Sequence, residues 1–187
     1  MARWEGDAAG RLRSAAMDLY AERGYEQTTV AEIAERAGLT ARTFFRHFAD
    51  KREVLFAGSS DLADALVGAL KDAPGPASPM AAVGLALEVS TTFLGRDHQH
   101  SRRRQAIISA NPELMERELI KMATLGSAMA AGLRERGVPE PDASLAAQAG
   151  IVVLQVAFGR WVESPVETDL AAEMRSALDR LIALQSH

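Results

Sequence analysis

Between residues 40 and 52 the chain sets Arg42, Arg46, Lys51 and Arg52 against a single acid, Asp50, and adds His47 and the pair Phe44 and Phe48. Side chains four positions apart share one side of a helix, so Arg42 and Arg46 form one guanidinium face. A guanidinium donates two parallel hydrogen bonds to guanine O6 and N7, the Thr43 hydroxyl or methyl can meet a base edge, and small Ala41 lets a helix enter a groove deeply. Thr29 and Thr40 stand where helices should begin, and free N–H groups with the helix dipole favour a phosphate there. His47 and Lys51 would add backbone contacts that position without reading sequence. This is the chemistry of recognition. No nucleophile with a paired base, no phosphate-cradling glycine loop and no carboxylate dyad emerges, so no enzyme is expected.

Two short helices and a turn must hold these groups. Thr29 caps a run from about Val30 to Ala37, Gly38 permits a positive φ, and a second helix starts at Thr40. Ile33, Ala37 and Leu39 supply an inner face and small Ala34 a close approach, while Phe44 and Phe48 anchor the second helix so that Arg42 and Arg46 face outward. This is the spacing of a helix-turn-helix. The net charge of −4 argues weakly against a nucleic-acid partner, but residues 1 to 56 hold nine basic and nine acidic residues, which places the acidic excess in the remainder.

From "GRLRSAAMDLYAERGYEQTTVAEIAERAGLTARTFFRHFADKREVLFA", Gly10 to Ala57, the chain resembles the N-terminal domain of tetracycline-repressor (TetR) family regulators. The resemblance implies a homodimeric transcription factor, usually a repressor, whose C-terminal helices bind a small effector. It implies DNA reading by Ala41 to His47, and backbone contacts by Thr29, Phe45, His47 and Lys51. The family usually carries tyrosine where this chain has Phe45, so the phenol that would donate to phosphate is gone, and Phe45 reads as a packing residue as readily as a contact.

Apolar spacing is helical nearly everywhere, predicting an all-α fold of about nine helices. Residues 1–56 form the expected DNA-binding domain, joined through helix four, about 51–71 and started by Asp50, to an effector-binding and dimerisation domain, 57–187. Helix one should span Asp7 to Glu22. "APGPASP" breaks the chain at Ala73 to Pro79, helix five follows to Leu94, and "GRDHQH" reads as a loop before a short helix around Arg102 to Ser109. Asn111 and Pro112 open a long helix closed by Gly137, and Asp142 is placed as the cap of the next. Asp97, His98 and His100 suggest an imidazole pair but lack third and fourth ligands, so no metal and no cofactor is expected.

"AAQAGIVVLQVAFGRWVE" is apolar on every side and must be buried on several faces. With the final helix it suits a four-helix interface between two copies, through Leu145, Ile151, Val152, Val156, Trp161, Leu170, Met174, Leu178 and Leu181; packing within one subunit is the alternative. Phe93, Met115, Leu119, Met122, Leu125 and Met129 can line an adaptable apolar chamber or be ordinary core. Arg103, in "SRRRQ", can attract an acidic head group or simply be solvated, and Gln155 and Gln148 can orient a ligand or bridge the interface. Residues 102 to 137 also resemble regulators of mycofactocin clusters, some of which respond to acyl-coenzyme A, which suggests an acyl thioester or other apolar acid as effector. The absence of cysteine, of a long uncharged apolar run and of an apolar block in the first twenty residues gives the expectation of a cytoplasmic protein without membrane contact. A helical protein-interaction module and a constitutive DNA binder without effector remain the alternatives.

Overall fold

The computed structural model describes residues 7–166 and 168–184, and among these every regular element is helical. Contacts group the described chain into two units: residues up to Ala57 with Arg103–Glu118, and Gly58–Arg102 with the residues from Leu119 onward.

In the first unit, α1 (Ala8–Arg23) buries Leu12, Ala15, Ala16 and Leu19, the residues of its three-and-four repeat. α2 (Val30–Arg36) begins with a reciprocal cap, in which the Glu32 N–H donates to Thr29 Oγ1 (3.3 Å) and the Thr29 N–H donates to Glu32 Oε2 (2.8 Å). It ends as the glycine requires. Gly38, at φ 65°, lets the Leu39 N–H reach the Ala34 carbonyl (2.8 Å) and its own N–H reach Glu35 (2.9 Å), closing two carbonyls that the helix leaves open. α3 (Ala41–His47) follows, capped by Thr40.

Helix four does not form as one piece. Asp50 does cap, accepting from the Arg52 and Glu53 N–H groups (2.8 and 3.2 Å), but it starts only a 3-10 turn, Glu53–Phe56. Val54, Leu55 and Phe56, consecutive in this turn, are all buried. The chain then turns at Gly58, φ 85°, into α4 (Ser59–Asp72).

Residues 103–118 belong with the first unit rather than with the segment that the 56/57 boundary assigns them to. Ile107, Ile108 and Leu114 join the cluster of Leu12, Leu19 and Phe44. Ion pairs reinforce it: Arg103 with Asp18 (3.0 Å), Arg117 with Glu53 (2.6 Å), and Arg52 with Glu113 (3.0 Å). Arg104 donates from Nε to the Leu55 carbonyl (2.7 Å) and from Nη1 to Glu118 (3.2 Å), with its guanidinium over the Phe56 ring.

In the second unit, α5 (Pro79–Leu94) is capped by Ser78, and α6 (His98–Ser109) opens inside the stretch read as a loop. Asp97 causes this, because its carboxylate accepts from the His100 N–H (2.9 Å) as an N-cap does. His98 bonds through Nε2 to the Trp161 carbonyl (2.7 Å), and no group of three metal-binding side chains occurs among the described residues. α7 (Pro112–Glu135) precedes α8 (Asp142–Glu163), where Pro141, not Asp142, holds the cap position. α9 (Leu170–Leu184) ends the described chain.

α8 is long and apolar enough to cross a membrane by composition, but half of that window is buried, against the core of α4, α5 and α9. The expected interface set splits accordingly. Ile151, Trp161, Leu170 and Met174 are core residues of this unit, Leu178 and Leu181 pack partly against it, and Leu145, Val152 and Val156 stay exposed.

Lys51 fixes the approach to α2. Its ammonium donates to the carbonyls of Tyr25 (2.8 Å), Glu26 (3.3 Å) and Thr28 (3.0 Å) and lies 4.2 Å from the Tyr25 ring centroid. The Tyr20 hydroxyl, whose pKa burial raises, donates to the Lys51 carbonyl (2.6 Å). Lys51→Met is therefore expected to destabilise the protein by about 2–3 kcal/mol, the scale of hydrogen bonds to a charged group, read as a lower denaturation midpoint. An unchanged midpoint would return Lys51 to the phosphate-binding role that the sequence suggests.

Candidate nucleic-acid interface

α3 has seven residues, too few to persist alone. Packing fixes it: Phe44 is fully buried and Phe48 nearly so, their ring centroids 5.5 Å apart, against Leu12, Ile33 and Ala37. With that side committed, Ala41, Arg42, Phe45 and Arg46 occupy an exposed arc of about 140° at 100° per residue. His47 is exposed beside it, and its ring meets Phe48.

The charges of this unit are spent unevenly. Arg23 pairs with Glu32 (2.9 Å), Arg36 grips both oxygens of Glu22 (3.1 and 2.9 Å), and Arg52 holds Asp50 (2.6 Å). The Arg36 hydrogen bonds hold the Glu22 carboxyl below the usual carboxylate range; the Thr29 backbone N–H does most of the same for Glu32, and Arg52 for Asp50. Among the described residues neither Arg42 nor Arg46 has a hydrogen bond or ion pair. These three acids are bound to other cations, and neither arginine of the α3 arc is paired with any of them.

The remaining residues of the expected set stand differently. Thr43 is half-buried and its hydroxyl is bonded to that of Thr40 (3.0 Å), which also accepts from the Thr43 N–H (3.2 Å). Thr29 is exposed, with both its N–H and its hydroxyl donating to Glu32. Lys51 uses its ammonium on three carbonyls, so the geometry makes it a clamp rather than a free cation. Phe45 is 58% exposed, with its ring edge-on to that of Phe44, centroids 5.5 Å apart.

The expected effector residues are divided between the two units. Arg103 and Met115 lie in the first unit and Phe93, Leu119, Met122, Leu125 and Gln155 in the second. Arg103 is paired with Asp18, Met115 and Leu119 are exposed, Leu125 is core, Met122 is partly buried against that core, and Gln148 and Gln155 face outward. An open groove of about 640 Å³ instead runs between α4 and α5, along Ala65, Gly68, Asp72, Leu85, Glu88 and Val89. Its charged groups are carboxylates, the wrong sign for an acidic ligand. The grouping of 103–118 with the first unit had one signal in the sequence, the apolar Ile107, Ile108 and Leu114 beside three arginines; the Lys51 clamp had none.

Comparison with known proteins agrees with this geometry. Residues 12–57 match the model of bacterial regulatory proteins of the tetR family. The HTH-type transcriptional regulator TcmR of Streptomyces glaucescens is 43% identical over 68 residues, 36% of this chain and 30% of that protein. MftR of Mycobacterium tuberculosis, named for regulation of mycofactocin biosynthesis, is 29% identical over 103 residues, 55% of this chain and 52% of that one. The chain thus spans less than two thirds of either relative. Among solved structures, Thermus thermophilus FadR, a TetR-family repressor in complex with lauroyl-CoA, superposes with a TM-score of 0.57 at 26% identity, covering 93% of each chain. These relatives are transcriptional regulators, not enzymes. With a helix-turn-helix whose second helix turns outward two arginines that are unpaired among the described residues, residues 12–57 match the tetR family of bacterial regulatory proteins over that motif.

Proposed function

We propose that this protein is a homodimeric, cytoplasmic repressor that binds a palindromic DNA operator through α3 and is released by a small, largely apolar effector. One observation carries the DNA reading: Arg42 and Arg46 project, unpaired among the described residues, from the exposed arc of a helix whose opposite side is locked by Phe44 and Phe48. Arg42, in the first turn of α3, is the base reader, and Arg46 and His47, in its last turn, serve as backbone contacts. Thr40 and Thr29 sit at helix N-termini, where a phosphate can approach. Two copies would place two such helices about 34–36 Å apart, or a multiple.

The second copy is supported by α8. Leu145, Val152 and Val156 are 66%, 50% and 50% exposed, on the side away from the core. Gly159 continues that side, and a Cβ built there would meet nothing within 4 Å. A helix that leaves apolar side chains and a bare glycine in water is completed by another helix. The effector class rests on likeness: the FadR neighbour binds lauroyl-CoA, and an acyl thioester suits a second unit with Phe93, Met122 and Leu125 at or beside its core.

Arg42→Ala is expected to weaken binding to the preferred operator by about 1–3 kcal/mol per half-site while barely changing affinity for random DNA, as measured by fluorescence anisotropy on both duplexes. Equal losses on both would make Arg42 a phosphate contact. Val152→Glu is expected to convert the dimer into a folded monomer in sedimentation equilibrium; a dimer that survives would place the interface elsewhere. Lauroyl-CoA at 100 times its dissociation constant should add about 2.7 kcal/mol of stability, and no rise in melting temperature at any concentration would remove acyl thioesters as the effector class.

A further inference from the structure

Phe45 is the large apolar side chain of α3 that water reaches, 58% exposed between buried Phe44 and buried Phe48. Its ring meets the Phe44 ring edge-on, centroids 5.5 Å apart and planes at 81°, so one edge is braced and the rest is uncovered. On the exposed arc it falls between Ala41 and Arg42. Long helical side chains lean toward the N-terminus, over the preceding turn, and here that turn carries Ala41, whose single methyl leaves room. The phenyl group is therefore directed to the first turn of α3, the part of a recognition helix that reaches base edges.

A phenyl ring has no strong donor or acceptor. It cannot hold a phosphate by hydrogen bonds and cannot read the polar pattern of a base edge. The apolar group displayed in the major groove is the C5 methyl of thymine, and phenylalanine is among the side chains able to contact it. The neighbouring Thr43 is half-buried and lies outside the exposed arc that Phe45 shares with Arg42.

We propose that Phe45 is a specificity residue that reads one thymine methyl in each operator half-site, beside the base read by Arg42. The proposal rests on the DNA reading above and adds to it a base identity and the group that sets it. It also accounts for an exposed aromatic on a surface otherwise made of arginine and alanine: the ring is buried when the complex forms, and the methyl it covers supplies discrimination between thymine and cytosine.

The test uses the full-length protein. Duplexes enriched by binding from a random pool define the operator, and each thymine of a half-site is then replaced in turn by uracil, which removes the methyl and leaves every hydrogen-bonding group. One position per half-site should be sensitive, with about fourfold weaker binding for one replaced half-site and about fifteenfold for both, the scale of one buried methyl. Phe45→Ala should bind the thymine and uracil duplexes equally, with an unchanged salt dependence, since no phosphate contact is lost. Phe45→Leu should keep part of the thymine preference. Because Phe45 is exposed, both variants should melt as the parent does.

Uracil duplexes that all bind like the parent operator would overturn the proposal, as would sensitivity that survives in Phe45→Ala, which would assign the methyl to Ala41 or another side chain. These results leave the DNA reading intact. A random pool that yields no enriched palindrome would sink the DNA reading itself, and the Phe45 proposal with it.

Discussion

The burial of Phe44 and Phe48 under α1 and α2 is the constraint on which the interface depends. A seven-residue helix gains too little from its own hydrogen bonds to persist, so its existence and its rotation are both set by those two rings. Each fully buried aromatic contributes about 1.5–3 kcal/mol, and rotating α3 about its axis would expose them. The cost of exposing the rings is thus what keeps Arg42, Phe45 and Arg46 outward. The ends are held too, by the Gly38 turn before α3 and the Lys51 ammonium after it.

That scaffold also decides what the charges can do. The first fifty-six residues are neutral in sum, yet the interface is not, because pairing is local. Glu22, Glu32 and Asp50 are held by Arg36, Arg23 and Arg52, leaving Arg42 and Arg46 as unmatched positive charge on one arc. An acidic protein can attract a polyanion this way without a basic total, provided that its acids are tied down away from the contact face.

The parts of the fold legible in the sequence are those specified within a few residues. Thr29 with Glu32, Gly38, and the Phe44–Phe48 spacing each act over one turn, and together they define α2 and α3 almost to the residue. Asp97 is equally local, but beside the two imidazoles of "DHQH" its carboxylate reads as a ligand rather than as a cap. What periodicity could not reach was set by distant partners. Lys51 reads as a free cation until Tyr25, Glu26 and Thr28 are seen to turn their carbonyls toward it. α8 is apolar on all sides, so its pattern has no phase, and only the structure separates inward Ile151 and Trp161 from outward Leu145, Val152 and Val156. Residues 103–118 carry a local apolar signal in Ile107, Ile108 and Leu114, but the partners that tie them to the first unit, Asp18, Glu53 and Leu55, lie more than forty positions away.

The same reasoning applies to the acidic effector group proposed above. It needs a cation whose donors are not already used, and the second unit has few. Arg136 gives its guanidinium to the carbonyls of Leu70, Lys71, Ala73 and Pro74 at the end of α4, the service Lys51 performs before α2. Lys71 pairs with Glu135, Arg134 with Glu140, and Arg160 with Glu173, while Arg175 lies between Glu88 and Asp169. Arg103, the residue that the sequence singles out for a head group, is committed to Asp18. Three are less committed: among the described residues Arg96 has one hydrogen bond, to the Thr92 carbonyl, with its guanidinium 5.8 Å from the centroid of the Phe93 ring, and the exposed Arg102 and Arg180 have no hydrogen bond or ion pair. For the acidic effector proposed above, these three guanidiniums keep donors that Arg103 has already committed to Asp18.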